Sequence, residues 1–395
     1  MSTVPSSPSA AGDGRARLVG LLILAVAAFV ALATELAPVG LLPNLGRAFH
    51  QSVATTGILV TVYAVMVMVF AVPLTLVMRR MSGKRMLIIA LAGYTLCDLL
   101  CALAPNFGVL IAARCVGGIA HAIFFSACIG QVARLATPGR TARAFAIVTA
   151  GISAGYVLGS PLTTALGNAG GWQLPFAVLV GATLLVLLLL VWLLPASAQG
   201  QDVTPARPGI SIRGAGGIVT ANGLAYFGQY AIYTYVTVLL LHAQLPQSLV
   251  AVTLLVFGLV GLITIWGTAS LLDHRPRATS VTVLVLVAAS VFAVGAASGS
   301  LVPLLVFGAV WGAAYGPVAA LFQGAAVRSG AVDPEMAGAW INATSNVGIA
   351  AGAFLGGIVL DHSNLQLLAW LAAVPVVVAA IVLGVVMRQR SAGSM

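Results

Sequence analysis

Four ionisable side chains stand inside long apolar runs of this chain: Glu35, Asp98, Arg114 and His121. Charge in such surroundings is costly, so these groups must pair with one another or face an internal cavity, and the chemistry open to them is ion pairing and proton exchange. Asp98 and Arg114 lie eight residues before and eight after Asn106, the turn of an antiparallel hairpin. Glu35 is about seven residues inside the C-terminal end of its own run. All three therefore reach one level, about 11 to 12 Å inward at 1.5 Å per residue. The spacing predicts an Asp98–Arg114 ion pair and leaves Glu35 as the carboxylate without an obligatory partner, best placed to bind and release a proton. Burial opposes its ionisation and a nearby guanidinium favours it. His121 shares a helical face with Arg114, Gly118 and Phe125, where it can pass protons, bond a small molecule or satisfy a polar pocket.

A second constellation is polar and aromatic without charge. Asn222, Tyr226, Gln229, Tyr230 and Tyr233 recur at helical spacing, and Tyr315, Gln323, Asn342 and Asn346 supply candidate groups to oppose them. Rings and amides on one stripe suit a neutral or weakly polar organic ligand; the competing reading is an interhelical seam. A nucleophile elbow, a metal dyad and a phosphate-binding glycine loop are missing from the sequence, so neither an enzyme nor a nucleotide-driven machine is expected. Cys97, Cys101, Cys115 and Cys128 all fall in apolar runs as small core residues, without ligand spacing for a metal. No metal or cofactor is expected.

The elements that carry these groups follow from composition. Only 7% of the 395 residues are charged and 61% are hydrophobic, which excludes a water-soluble globular chain and points to lipid as the main solvent. The apolar runs are too long for barrel strands, so an all-α membrane protein is expected. Twelve transmembrane helices are predicted at 18–42, 53–78, 86–104, 108–133, 144–167, 172–194, 215–241, 248–272, 278–298, 301–327, 338–360 and 367–387.

With both termini cytoplasmic, sixteen of the eighteen basic residues fall inside, Arg47 alone falls outside and Arg114 lies within a span. That bias fits the positive-inside rule and turns the net charge of +10 into a topology signal rather than a nucleic-acid surface. Residues 1–14 read as a disordered tail, 15–194 as a first six-helix bundle and 195–213 as a cytoplasmic linker rich in Pro and Gly. Residues 214–387 read as a second bundle and 388–395 as a tail. Cleavage of the first span as a signal, at its Ala31–Leu32–Ala33 stretch, is disfavoured because the run is too long for a signal core and its removal would leave eleven spans and spoil the charge count. The halves repeat: Gly151, Gly155 and Gly159 are matched by Gly348, Gly352 and Gly356 at a constant offset of 197. A parallel repeat of six spans marks two pseudo-symmetric bundles that rock about a site near the midplane.

On these residues the chain resembles the major facilitator superfamily, in particular its twelve-helix drug:proton antiporter branch and the arabinose or sugar efflux permeases. Leu110, Arg114, Gly118 and Ala122 are similar to the family's membrane-embedded arginine motif, associated with proton transfer. Gly151, Gly155, Gly159 and Pro161, followed by Gly167 and Trp172, resemble its antiporter motif, with Ser160 interposed before the proline. The loop Arg79, Arg80, Met81, Ser82, Gly83, Lys84, Arg85 resembles the family's cytoplasmic loop motif but lacks its acidic member, whereas Asp273 with Arg275 and Arg277 keeps one. A charge latch is therefore expected in the second half, and the glycine motif is expected to pack helices at the interface between halves.

The resemblance implies a proton-coupled secondary transporter, working as a monomer in the cell membrane, that exports a small organic compound by alternating access. Glu35, Asp98, Arg114 and His121 would carry coupling. His121, Asn222, Tyr226, Gln229, Tyr230, Tyr233, Tyr315, Asn342 and Asn346 would contact substrate. A proton symporter or facilitator importing a sugar or metabolite is the main alternative, and a transport-dead sensor a more remote one.

Overall fold

The computed structural model describes residues 10–78, 81–136, 141–194, 215–330 and 334–393. The linker and the Arg79–Arg80 pair lie outside them. Among the described residues every regular element is a helix. The first half holds α1 (Ala10–Phe49), α2 (Val53–Met78), α3 (Gly83–Ala102), α4 (Phe107–Leu135), α5 (Thr141–Gly170) and α6 (Gln173–Leu193). The second holds α7 (Gly216–Tyr233), α8 (Val236–His242), α9 (Gln247–His274), α10 (Pro276–Ala296), α11 (Leu301–Tyr315), α12 (Val318–Arg328), α13 (Pro334–His362) and α14 (Leu365–Gly393). Two hydrophobic cores result. One is drawn from residues 21–194, the other mainly from residues 218–383 with Val39, Leu42, Val60 and Ala64 reaching across to it.

Eleven helical stretches among the described residues are long and apolar enough to span a bilayer, and a twelfth is made by α7 and α8 together, which meet at 41°. The break falls in the run Ile232–Val238, where β-branched and aromatic residues weaken helix propensity. The tenth predicted span is also interrupted, between α11 and α12, because Pro317 has no N–H to offer the Ala313 carbonyl. Thr264 of α9 donates to that freed oxygen at 2.6 Å. Helix α1 begins at Ala10 and α14 runs through Gly393.

Local signals set the turns that align the spans. Asn106 caps α4 by accepting the Val109 N–H at 3.1 Å. Asn364 caps α14 through the Leu367 N–H at 2.8 Å, and Gly171, at φ +85°, makes the turn from α5 into α6. The matched glycine triplets perform the same task in each half. A Cβ on Gly151 would overlap the Ala25 backbone, and one on Gly155 would press on Leu32, so α5 lies close along α1. Gly348 and Gly352 would meet the Gly223 and Phe227 carbonyls, so α13 lies equally close along α7.

The expectation that Gly151, Gly155 and Gly159 pack at the interface between halves is thereby corrected. They face α1 within their own half, because that helix presents Ala25, Leu32 and Ala33 to them. The interface uses the neighbouring face of α5, where Val157 meets Gly258 of α9. It also uses α2 against α13, where the Tyr235 ring sits over Gly57 and Gly357.

At the end away from the termini, hydrogen bonds among the described residues join the halves. Gln247 bonds Asn44 (3.2 Å) and Asn168 (3.0 Å) through its amide, and its carbonyl accepts from Asn168 (2.9 Å). Ser52 donates to Asp361 (3.0 Å), and Thr237 donates to the Val39 carbonyl (3.1 Å).

Candidate functional site

The buried charged cluster of the first half is organised by a proline. Pro38 cannot donate to the carbonyl four residues earlier, so the Thr34 oxygen is left free inside α1. Arg114, only 1% exposed, supplies the missing donor: one terminal nitrogen donates to Thr34 O (2.8 Å) and the other to Glu35 O (2.8 Å). Its Nε donates to Leu59 O of α2 (3.2 Å), and the guanidinium lies 4.1 Å from the centre of the Tyr63 ring. Close passage of α2 along α4 makes this possible, because a Cβ on Gly118 would run into the Tyr63 backbone.

The predicted Asp98–Arg114 ion pair does not form. Among the described residues no basic group lies within 4.0 Å of Asp98, whose Oδ2 accepts from the Thr34 hydroxyl at 3.0 Å and whose Oδ1 is buried without a partner. The physical reason is competition: backbone carbonyls of α1 and α2 take the guanidinium's donors, and Thr34 stands between the two charges. The counting that placed both groups at one depth does bring them to the same residue, Thr34, from opposite sides.

Glu35 has a partner that its sequence position did not indicate. Its Oε2 lies 3.6 Å from His121 Nδ1, which also lies 3.0 Å from the Tyr63 hydroxyl. The Phe125 ring covers the imidazole, with centroids 4.5 Å apart. Carboxyl, imidazole and phenol thus form a short chain joined at one nitrogen, Nδ1, which is at hydrogen-bond distance from the phenol and just beyond it from the carboxylate, with His121 buried and Glu35 part-buried. Tyr63 escaped sequence reasoning, although the depth count that linked Asp98 and Arg114 also applies to it, ten residues into α2.

The aromatic wall faces this chain from the second half. Tyr226 stacks on Tyr230 at 6.2 Å and meets Tyr315 edge-on at 5.9 Å. Tyr233 stands edge-on to Tyr230 at 5.6 Å and to Trp311 at 6.3 Å, and Trp311 donates to Gln229 Oε1 at 2.7 Å. Tyr156 of α5, also missed in the sequence, is 47% exposed and lies within electrostatic range of Glu35, Tyr226 and Tyr233.

Asn222 does not belong to this wall. It is fully buried and donates to Ile341 O, Thr344 Oγ1 and Ser345 Oγ, at 2.9, 2.9 and 3.0 Å, tying α7 to α13 as an interhelical seam. Asn346 bonds back to Asn342 of its own helix, leaving Asn342 exposed.

Among the described residues the loop motifs serve helix ends rather than charge pairing. Lys84 donates to Val191 O (2.8 Å) and Leu194 O (2.5 Å), satisfying the last carbonyls of α6. Ser82 accepts the Arg85 N–H at 3.4 Å, and Gly83 is buried against Gln131. The expected latch of Asp273 with Arg275 and Arg277 is not made: Asp273 is exposed and lies beyond 4.0 Å of any described basic group. Water solvates each charge there, and an exposed pair has little to gain.

Comparison with known proteins places this geometry among transporters. The family model described as Major Facilitator Superfamily matches residues 24–338. A chloramphenicol efflux pump of Mycobacterium tuberculosis (strain H37Rv) is 31% identical over 370 residues, covering 88% of this chain and 87% of that one. A probable sugar efflux transporter of Mannheimia succiniciproducens is 27% identical over 365 residues, covering 90% of each chain. Among solved structures, a bacterial homologue of the human lysosomal transporter Spinster aligns with TM-score 0.75 at 15% identity, over 94% of this chain and 97% of that one. A D-xylose–proton symporter aligns with TM-score 0.75 at 15% identity, over 93% and 97%.

Proposed function

The chain belongs to the major facilitator superfamily, and from that premise we propose that it exports a small organic compound in exchange for protons. It is a multi-pass membrane transporter and not an enzyme. In the proposed arrangement residues 15–194 and 214–387 are two rocking halves, 195–213 is a cytoplasmic linker, both termini are cytoplasmic, and one chain is the working unit. The observation that carries the reading is the Glu35–His121 contact at 3.6 Å, set on α1 at the edge of a tyrosine-lined wall. A part-buried carboxylate there, with only a loose contact to His121, can hold either a proton or a bound compound's polar group, which is the competition antiport requires.

The relatives' names support export, and they frame the cargo as drug-like or sugar-like. In the proposed cycle a proton enters Glu35 from the outer side and displaces the compound. The halves then close at the outer seam, and the proton leaves towards the cytoplasm through His121 as a new compound binds. One proton moving down 100 mV supplies about 2.3 kcal/mol, enough for a modest concentration gradient.

Ligand-triggered proton release from detergent-solubilised protein tests the proposal, with chloramphenicol and simple sugars as probes and Glu35→Gln as the comparison. Release from the wild type that is lost in Glu35→Gln is expected. Binding without release in the wild type would remove proton exchange and favour a facilitator.

A further inference from the structure

Two prolines on α1 free two carbonyls, and the two are captured by different halves of the molecule. Pro38 frees Thr34 O, taken by Arg114 of the first half (2.8 Å); Pro43 frees Val39 O, taken by Thr237 of the second (3.1 Å). Glu35 stands between these anchors, one helical turn, about 6 Å, before Val39. Thr237 and Val39 are both buried, so no water competes for the bond. The other seam bonds, from Gln247 and Ser52, are exposed and sit on loops or helix ends.

We propose that Thr237 is a positioning residue that couples closure of the seam to the α1 segment carrying Glu35. While the seam is closed, Thr237 holds the Pro38–Pro43 segment from the second half. When the halves part at this end, Val39 O loses its donor while Thr34 O keeps Arg114 and Gly40 stays packed on Ser160 and Thr164 of α5, and the segment shifts about Pro38, moving Glu35 relative to His121. The inference rests on the reading of Glu35 as the proton site and adds how that site senses which face is open.

The groups that face Glu35 are these: His121 and Arg114 from α4, Tyr94 from α3, and Tyr63 from α2, while Asp98 of α3 is bonded to the adjacent Thr34. Helix α5 adds Tyr156 and α7 adds Tyr226, Tyr230 and Tyr233. Helix α6 has no titratable residue, and the one on α8, His242, lies at its far end. Thr237 is thus an uncharged contact, and removing it changes position without changing local charge.

The experiment uses full-length protein in proteoliposomes, with the four cysteines replaced by alanine and spin labels at Leu103→Cys and Ser300→Cys, both exposed at the seam end. Seam distance is read by electron-spin resonance, and the pH profile by chloramphenicol exchange. Thr237→Val, which keeps shape and loses the donor, is expected to raise the seam-open population about tenfold and to shift the pH midpoint by about half a unit or more. Thr237→Ser should restore both. In a Pro43→Ala background, where the backbone N–H returns to Val39 O, Thr237→Val should have less than half its effect on each.

A seam that opens in Thr237→Val with an unmoved pH midpoint would overturn the coupling while leaving Glu35 as the proton site. No change in either readout would also overturn it. A wild-type profile flat with pH would sink the proton reading itself and the coupling with it, whatever the seam does.

Discussion

Exchange of Arg114 for methionine, alone and together with Pro38→Ala, tests whether the embedded arginine is held by a helix defect. Arg114 makes three hydrogen bonds to backbone carbonyls and one ring contact. The Glu35 and Leu59 carbonyls still have intrahelical donors, the N–H groups of Val39 and Tyr63, so their loss is small. Thr34 O has none, and leaving it buried and unpaired costs about 1–3 kcal/mol. Loss of the contact with Tyr63 adds about 0.5–2 kcal/mol, offset in part because a buried charge has been removed.

In a Pro38→Ala background the N–H at position 38 returns to Thr34 O, and the orphan cost vanishes. A double-mutant cycle on detergent-solubilised protein, read by unfolding in increasing denaturing detergent, should therefore give a coupling energy of about 1–3 kcal/mol. Arg114→Met should be distinctly less damaging in the Pro38→Ala background than in the chain that keeps the proline. Additivity of the two changes within about 0.5 kcal/mol would refute the reasoning, since independent sites add to that accuracy.

Thr264→Val removes the donor to Ala313 O, which Pro317 leaves free, and should destabilise by about 1–3 kcal/mol in the same assay, whereas Thr264→Ser should stay close to wild type. Gly151→Val and Gly348→Val should each abolish most folded protein on size exclusion, because a side chain there overlaps backbone of the neighbouring helix; Gly181→Ala, with open space around it, should change stability by no more than about 0.5 kcal/mol. Tyr63→Phe removes the hydroxyl that His121 Nδ1 meets at 3.0 Å. It should cost about 0.5–1.5 kcal/mol of stability and alter the pH profile of chloramphenicol exchange, and a superimposable profile would show that the phenol plays no part in the proton chain.

Composition and the apolar runs determined the class of fold, because seven charged residues in every hundred cannot cover a soluble surface and only helices satisfy backbone in lipid. Glycine spacing at an offset of 197 determined the repeat, and counting from Asn106 determined which ionisable groups share a depth. Helix rotation and partner choice lay beyond such counting. Depth set Asp98 and Arg114 level, but tertiary packing turned the guanidinium to carbonyls of α1 and α2, and left Asp98 to Thr34.

Spacing gave Asn222 and Tyr226 one stripe, yet the seam with α13 claimed the amide and left the rings to the wall. One part of the missing information was present in the chain all along. Each proline at Pro38, Pro43 and Pro317 marks a free carbonyl four residues earlier. Which side chain comes to fill it, Arg114, Thr237 or Thr264, is decided only when separate helices are brought side by side. A sequence specifies its own unsatisfied groups locally, whereas the donor that satisfies them comes from residues distant in the chain, and only the packed fold places it.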